Sequence, residues 1–162
     1  MDVTILLGSK SDMPVAEKCT KILEQFGVSY QLRVASAHRS PAFVEQIVHD
    51  AEADGCTVFI AMAGLAAHLA GAVASKTVLP VIGVPGDGGP LNGMDALLST
   101  VQMPKGIPVA TVAIGSAGAI NSAYLAAQML GIESSDIRDS LLKVRADGVE
   151  AIRESNKKLA DT

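Results

Sequence analysis

Along the chain, apolar and polar positions repeat one phrase five times: a continuous apolar, β-branched run, a loop of small residues, and a stretch with helical spacing. The apolar runs are Val3–Gly8, Tyr30–Ser36, Thr57–Gly64, Val78–Pro85 and Pro108–Gly115. They lack the polar alternation of half-exposed strands and read as strands buried on both faces. Helical spacing covers about 12–26, 41–54, 66–75, 93–101 and 117–131. Strands alternating with helices demand right-handed crossovers and a parallel sheet covered on both sides.

The pattern therefore predicts an α/β chain: a three-layer, flavodoxin-like, doubly wound parallel sheet of five strands with an extra C-terminal helix. That sixth helix is expected over about 134–160, with Ile137, Leu141, Val144, Gly148 and Ile152 on one stripe. No strand follows it, so it is expected to pack across the sheet edge or against another subunit. No composition break divides the chain, and a single domain over 1–162 is expected. Local signals fit these boundaries. Asp12 and Ser40 stand where N-caps belong, with Pro14 and Pro41 in the first turns. Gly27 and Gly131 stand where the first and fifth helices should end.

Composition narrows the class. Of 162 residues, 49% are hydrophobic and 19% charged, which excludes a disordered chain. Thirteen basic against seventeen acidic residues give a net charge of −4 without any basic stripe, so nucleic acid is not an expected partner. No run approaches the ~20 apolar residues of a membrane span, and the start lacks the basic segment of a signal peptide. A cytoplasmic protein without a membrane partner is expected. Cys19 and Cys56 match no metal spacing and read as small buried hydrophobes. The third and fifth helical segments, LAAHLAGAVASK and SAGAINSAYLAAQMLG, are nearly free of charge. A monomer's surface helix should carry a polar face, so these two predict a homo-oligomer.

In open parallel sheets ligands bind beyond the carboxyl ends of the strands. The segments there are Gly8–Asp12, Ser36–Pro41, Ala63–Leu69, Pro85–Gly93 and Gly115–Asn121. Ser or Gly beside a helix start offers free backbone N–H groups to an anion. In GSKSD, Ser9 and Ser11 present hydroxyls, and Asp12 is either an acceptor for sugar hydroxyls or no more than a helix cap. The loop is neither a dinucleotide fingerprint nor a Walker loop. In SAHRSP, Arg39 has the fork for phosphate or carboxylate, and His38 has the side chain suited to proton transfer near neutrality. A solvated loop histidine is the alternative for His38. His68 sits in an apolar run where orienting a ligand and completing a core are equally open, and His49 reads as plain surface. No metal set and no covalent nucleophile context is present. Residues alone thus point to a small phosphorylated ligand, one proton-transferring His, and no required cofactor or metal.

These loops, together with LNGMDALLSTVQMPKGIPVATVAIG and SAGAINSAYLAAQMLG, resemble the N5-carboxyaminoimidazole ribonucleotide mutases of de novo purine (IMP) synthesis, class I of the phosphoribosylaminoimidazole carboxylase catalytic subunits. The resemblance spans about residues 3–155. It implies an isomerase that turns N5-carboxyaminoimidazole ribonucleotide into 4-carboxy-5-aminoimidazole ribonucleotide with no cofactor. It further implies an octamer with active sites at subunit junctions, and the ATP-dependent N5-carboxyaminoimidazole ribonucleotide synthetase as functional neighbour. Matched position by position, Ser9, Ser11 and Asp12 take the nucleotide-binding loop. Ser36, Ala37, His38 and Arg39 take the second loop, with His38 the catalytic acid/base and Arg39 on the phosphate. Ala63, Gly64, His68 and Leu69 line the carboxylate pocket. Ala63, Ala66, Ala67 and Leu69 are expected to form an apolar wall that holds carbon dioxide. Leu65 and Ala70 stand where the family has Gly and Pro, and PGDGG is richer in Gly than the family pattern; Leu65 is expected to narrow the room for close backbone approach. A related carboxylase using free carbon dioxide has Lys where Arg39 stands. A phospho-receiver would need acidic residues where Gly8 and Ser9 stand, and a flavin carrier would need stacking aromatics.

Overall fold

The structure, a computed structural model, describes residues 1–160. Its five strands, β1 (Val3–Leu7), β2 (Tyr30–Val34), β3 (Val58–Ala63), β4 (Val81–Pro85) and β5 (Ala110–Thr111), form one parallel sheet in the order β2-β1-β3-β4-β5. Helices α1 (Met13–Gln25), α2 (Pro41–Ala53), α3 (Leu69–Ala74), α4 (Met94–Val101), α5 (Gly115–Leu130) and α6 (Ser135–Ala160) connect and cover them. The order reverses between β1 and β3, which places a topological switch point at their carboxyl ends. The expected fold class is the observed one. The single-domain expectation reaches to 162, and 161–162 lie outside the described residues.

Alternation along each strand divides the core in two. Val3, Ile5 and Leu7 of β1 join Val58, Ile60 and Met62 of β3 beneath α1 and α5. Leu6, Phe59 and Ala61 face the other way, with Val44, Val48, Leu69 and Val73 of α2 and α3. Small residues set the layer spacing. Gly83 in β4 leaves room for Thr100 of α4, because a Cβ there would collide with the Thr100 methyl and with Val109. Cys19 and Cys56 are buried, as expected, and burial pushes the Cys19 thiol up to about 11.

Beyond the edge strands β2 and β5, only partly buried where burial on both faces is expected, three expectations need correction. The runs starting at Val78 and Pro108 pair over shorter lengths: β4 starts at Val81, after bends at Val78 and Leu79, and β5 keeps two residues. Pro80 and Pro108 have no N–H to give a ladder, and Gly115 turns the chain into α5 at φ 66°. Second, α3 is covered almost wholly within this one chain, and α5 along one face. Leu69, Ala70, Gly71, Val73 and Ala74 are buried, as are Gly118, Ala119, Ser122, Ala123, Ala126 and Ala127. Packing within the chain accounts for the lack of charge on α3, while Ser116, Ala117, Asn121 and Gln128 of α5 are exposed. Third, α6 packs along α5 instead of across the sheet edge. Ile137, Leu141 and Val144 join the core there, while Gly148 and Ile152 of the same stripe lie exposed. Among the described residues no helix is long and apolar enough to cross a membrane.

Candidate active site

A cleft of about 760 Å³ opens at the switch point, between the loops that follow β1, β2, β3 and β4. Short backbone contacts fix these loops to one another. The Gly8 amide donates to Met62 O at 2.9 Å, and the Gly86 amide to Ala63 O at 2.7 Å. Arg39 reaches across from the β2 loop and donates from Nη2 to Gly8 O at 3.2 Å. A charged side chain anchored on a backbone carbonyl at the cleft's edge keeps its remaining N–H groups for a ligand.

The serines shape the loops more than they cap helices. Ser40 makes no side-chain cap for α2; its Oγ accepts the Ser36 amide at 3.0 Å and donates to Ser36 O at 3.1 Å. Ser36 Oγ accepts the Arg39 amide at 3.2 Å, so Ser36–Ser40 closes into a tight turn that presents Ala37, His38 and Arg39. Asp12 likewise leaves α1 uncapped by its side chain. Its Oδ2 accepts the Ser9 amide at 2.9 Å, and Ser9 caps the short 3-10 turn Lys10–Asp12 in return. Ser11 Oγ donates to Ser9 Oγ at 3.0 Å. Both expected caps are thus diverted to hold the loops that line the cleft. Partial burial raises the Asp12 pKa, opposed by the hydrogen bonds from the Ser9 amide and Ser11.

Ser9, Ser11, Asp12, Ser36, Ala37, His38, Arg39, Ala63, Gly64, His68 and Leu69 all line this cleft. His38 is exposed at the rim. His68 precedes α3 and lays its ring over Gly71, where a Cβ would collide with the imidazole. His49 lies outside, on the exposed face of α2 beside Asp50 at 3.6 Å. Two expectations fail. Ala67 is buried behind the wall, its carbonyl accepting from Thr100 Oγ1 at 3.3 Å. The loop at Gly115 does not line the cleft; Gly115 packs against the Asp87 carboxylate.

Of the other expected segments, Leu65, Ala66 and Gly86–Gly89 also line the cleft, and the structure adds Val15, Met62 and Val84. Val15, Met62 and Val84 belong to a helix and strands, where nothing in sequence distinguishes them from core. The glycine loop did carry a signal. Its composition marks a close approach: a Cβ on Gly86 would sit 3.1 Å from Gly64 Cα. Leu65 does not block that approach, since its own φ of 57° turns the side chain toward Gly89. Among the described residues no three His, Cys, Asp or Glu side chains gather as a metal set.

This cleft, on this strand order, occurs in a chain whose residues 2–150 match the family model described as AIR carboxylase. The chain belongs to the AIR carboxylase family. Over 159 residues, covering 98% of both chains, it is 49% identical to the N5-carboxyaminoimidazole ribonucleotide mutase of Methanocaldococcus jannaschii. The protein of that name from Saccharolobus solfataricus is 52% identical over 145 residues, 90% of each chain. That of Pseudomonas aeruginosa is 46% identical over 150 residues, 93% of this chain and 92% of the other. The crystal structure of Treponema denticola PurE superposes with a TM-score of 0.89 at 33% identity, over 97% of each chain. Family members this similar, each named for one isomerisation, make the chain an enzyme and not a receiver or flavin carrier.

Proposed function

We propose that the protein is the isomerase of purine biosynthesis that converts N5-carboxyaminoimidazole ribonucleotide to 4-carboxy-5-aminoimidazole ribonucleotide. The observation that carries this reading is the meeting, in one cleft, of a His–Arg pair, a serine loop and a small apolar wall. Arg39 and the Ser9–Asp12 loop hold the ribose phosphate, a distant anchor that fixes the ring. Positioning of this kind lowers barriers by up to roughly 7–11 kcal/mol. The carboxylate on the exocyclic nitrogen lies against Ala63, Gly64, Ala66 and Leu69, oriented by His68. Decarboxylation returns the electron pair to that nitrogen, which takes a proton from His38. The enamine-like ring carbon then attacks the retained carbon dioxide and gives its proton back to His38. One histidine serves both transfers. Arg39, in place of the Lys of the carboxylases that use free carbon dioxide, favours the mutase.

Purified protein supplied with the N5-carboxylated ribonucleotide should form the 4-carboxy product, and absence of product would sink the reading. Arg39→Lys keeps the charge but loses the bidentate fork, so nucleotide affinity is expected to fall by about tenfold. Equilibrium binding checks this, and an unchanged Kd would remove Arg39 from the phosphate.

The same reading includes an octamer in the cytoplasm. Exposed apolar side chains on α4 (Met94, Leu98, Val101) and along α6 (Leu142, Val149, Ile152, Leu159) support the assembly. Native mass should be a multiple of 16.6 kDa, and a monomer by sedimentation at micromolar concentration would contradict it.

A further inference from the structure

Leu65 has a left-handed backbone, at φ 57°, a conformation in which side chains are rare. The residue is 55% exposed and lines the cleft, so core burial does not explain its place. Its partner is Gly89, itself at φ 91°. A Cβ built on Gly89 would lie 2.5 Å from Leu65 Cδ2, and within 4 Å it would meet nothing but Leu65. Behind this contact the same two loops touch backbone to backbone, through the Gly86 amide on Ala63 O at 2.7 Å. The loops after β3 and β4 are therefore joined twice: by backbone at the base and by one leucine on one glycine at the rim.

We propose that Leu65 is a positioning residue, an apolar latch seated on Gly89 that closes the cleft wall between these loops and keeps released carbon dioxide beside the ring. This rests on the reaction proposed above. In that reaction the nitrogen–carboxyl bond breaks and a carbon–carbon bond forms to the same carbon dioxide, with no net oxidation. Any molecule that escapes leaves aminoimidazole ribonucleotide behind. A neutral gas has no charge by which the site could hold it, so its retention depends on a closed apolar wall.

The test supplies unlabelled N5-carboxylated ribonucleotide in isotopically labelled bicarbonate and measures label in the product and aminoimidazole ribonucleotide released. Wild type should incorporate little label. Leu65→Gly should raise both readouts about threefold or more, with KM changed by no more than about twofold. Leu65→Met should restore retention. Gly89→Ala, whose methyl displaces the leucine, should leak as Leu65→Gly does, and the double variant should leak no more than either single one. Equal label in wild type and Leu65→Gly, or additive effects in the double variant, would overturn the latch while leaving the reaction intact. If wild type forms no product, the reaction reading fails and the latch falls with it.

Discussion

His38→Asn should abolish nearly all turnover while leaving nucleotide binding in place. Asparagine keeps some size and hydrogen bonding but cannot take a proton, so turnover is expected to fall by about 10²–10⁴-fold. The other two histidines serve as internal controls. His68 precedes α3, in the cleft, with its ring packed over Gly71. His68→Asn should lose less, mainly through a misplaced carboxylate. His49 is on the outer face of α2, its side chain 84% exposed, and His49→Asn should change almost nothing. Separate measurement of kcat and nucleotide Kd for the three variants ranks them. A His38→Asn enzyme within a few-fold of wild type would return His38 to the status of a solvated loop residue.

The largest stability effect is expected at Gly118. A Cβ there would drive into the Ala113 carbonyl oxygen and press on Val84 Cγ1 at 3.2 Å. Backbone cannot swing aside as a long side chain can, so the turn from Ala113 into α5 would have to open. Gly118→Ala should destabilise by about 3 kcal/mol or more, lowering Tm by roughly 6 °C or more. Gly148, in exposed α6 with nothing within 4 Å of a built Cβ, gives the opposite sign. There the methyl meets no neighbour and the helix gains, so Gly148→Ala should raise stability by up to about 1 kcal/mol. Thermal unfolding of both variants decides the matter; equal midpoints would mean that α5 is not seated as described.

The fold was legible because β1, β3 and β4, buried on both faces, leave a continuous apolar signature that helices interrupt. The half-buried edge strands β2 and β5 are apolar enough to share it. All five strands and six helices stand where that signature puts them. What failed were features set by tertiary contact. The ends of β4 and β5 depend on where Pro80 and Pro108 interrupt pairing. Charge-poor α3 suggested a subunit interface, but the sheet, α2 and α4 cover it within this chain. Asp12 and Ser40 have the side chains of caps, and only the folded loops reveal that the same oxygens bind Ser9 and Ser36 instead.

The site divides in the same way. Ser9, His38 and Arg39 could be placed at the cleft because they follow apolar strands at the carboxyl end of the sheet, where such folds open. Met62, Val84 and Val15 were not, because an apolar residue facing a cleft has the same local sequence as one facing the core. Ala67 shows the converse error: an alanine adjacent to the wall in sequence turned inward behind it. Leu65 was visible as a departure from the family pattern, but its partner Gly89 lies on another loop and emerges only in three dimensions.

The central claim concerns which molecule supplies the carboxyl group. Purified enzyme should be given, side by side, N5-carboxyaminoimidazole ribonucleotide and aminoimidazole ribonucleotide with a low concentration of bicarbonate, with formation of the 4-carboxy product followed in both. Rapid product from the first and almost none from the second is the expected result. Turnover of aminoimidazole ribonucleotide with bicarbonate, and none of the N5-carboxylated compound, would contradict it.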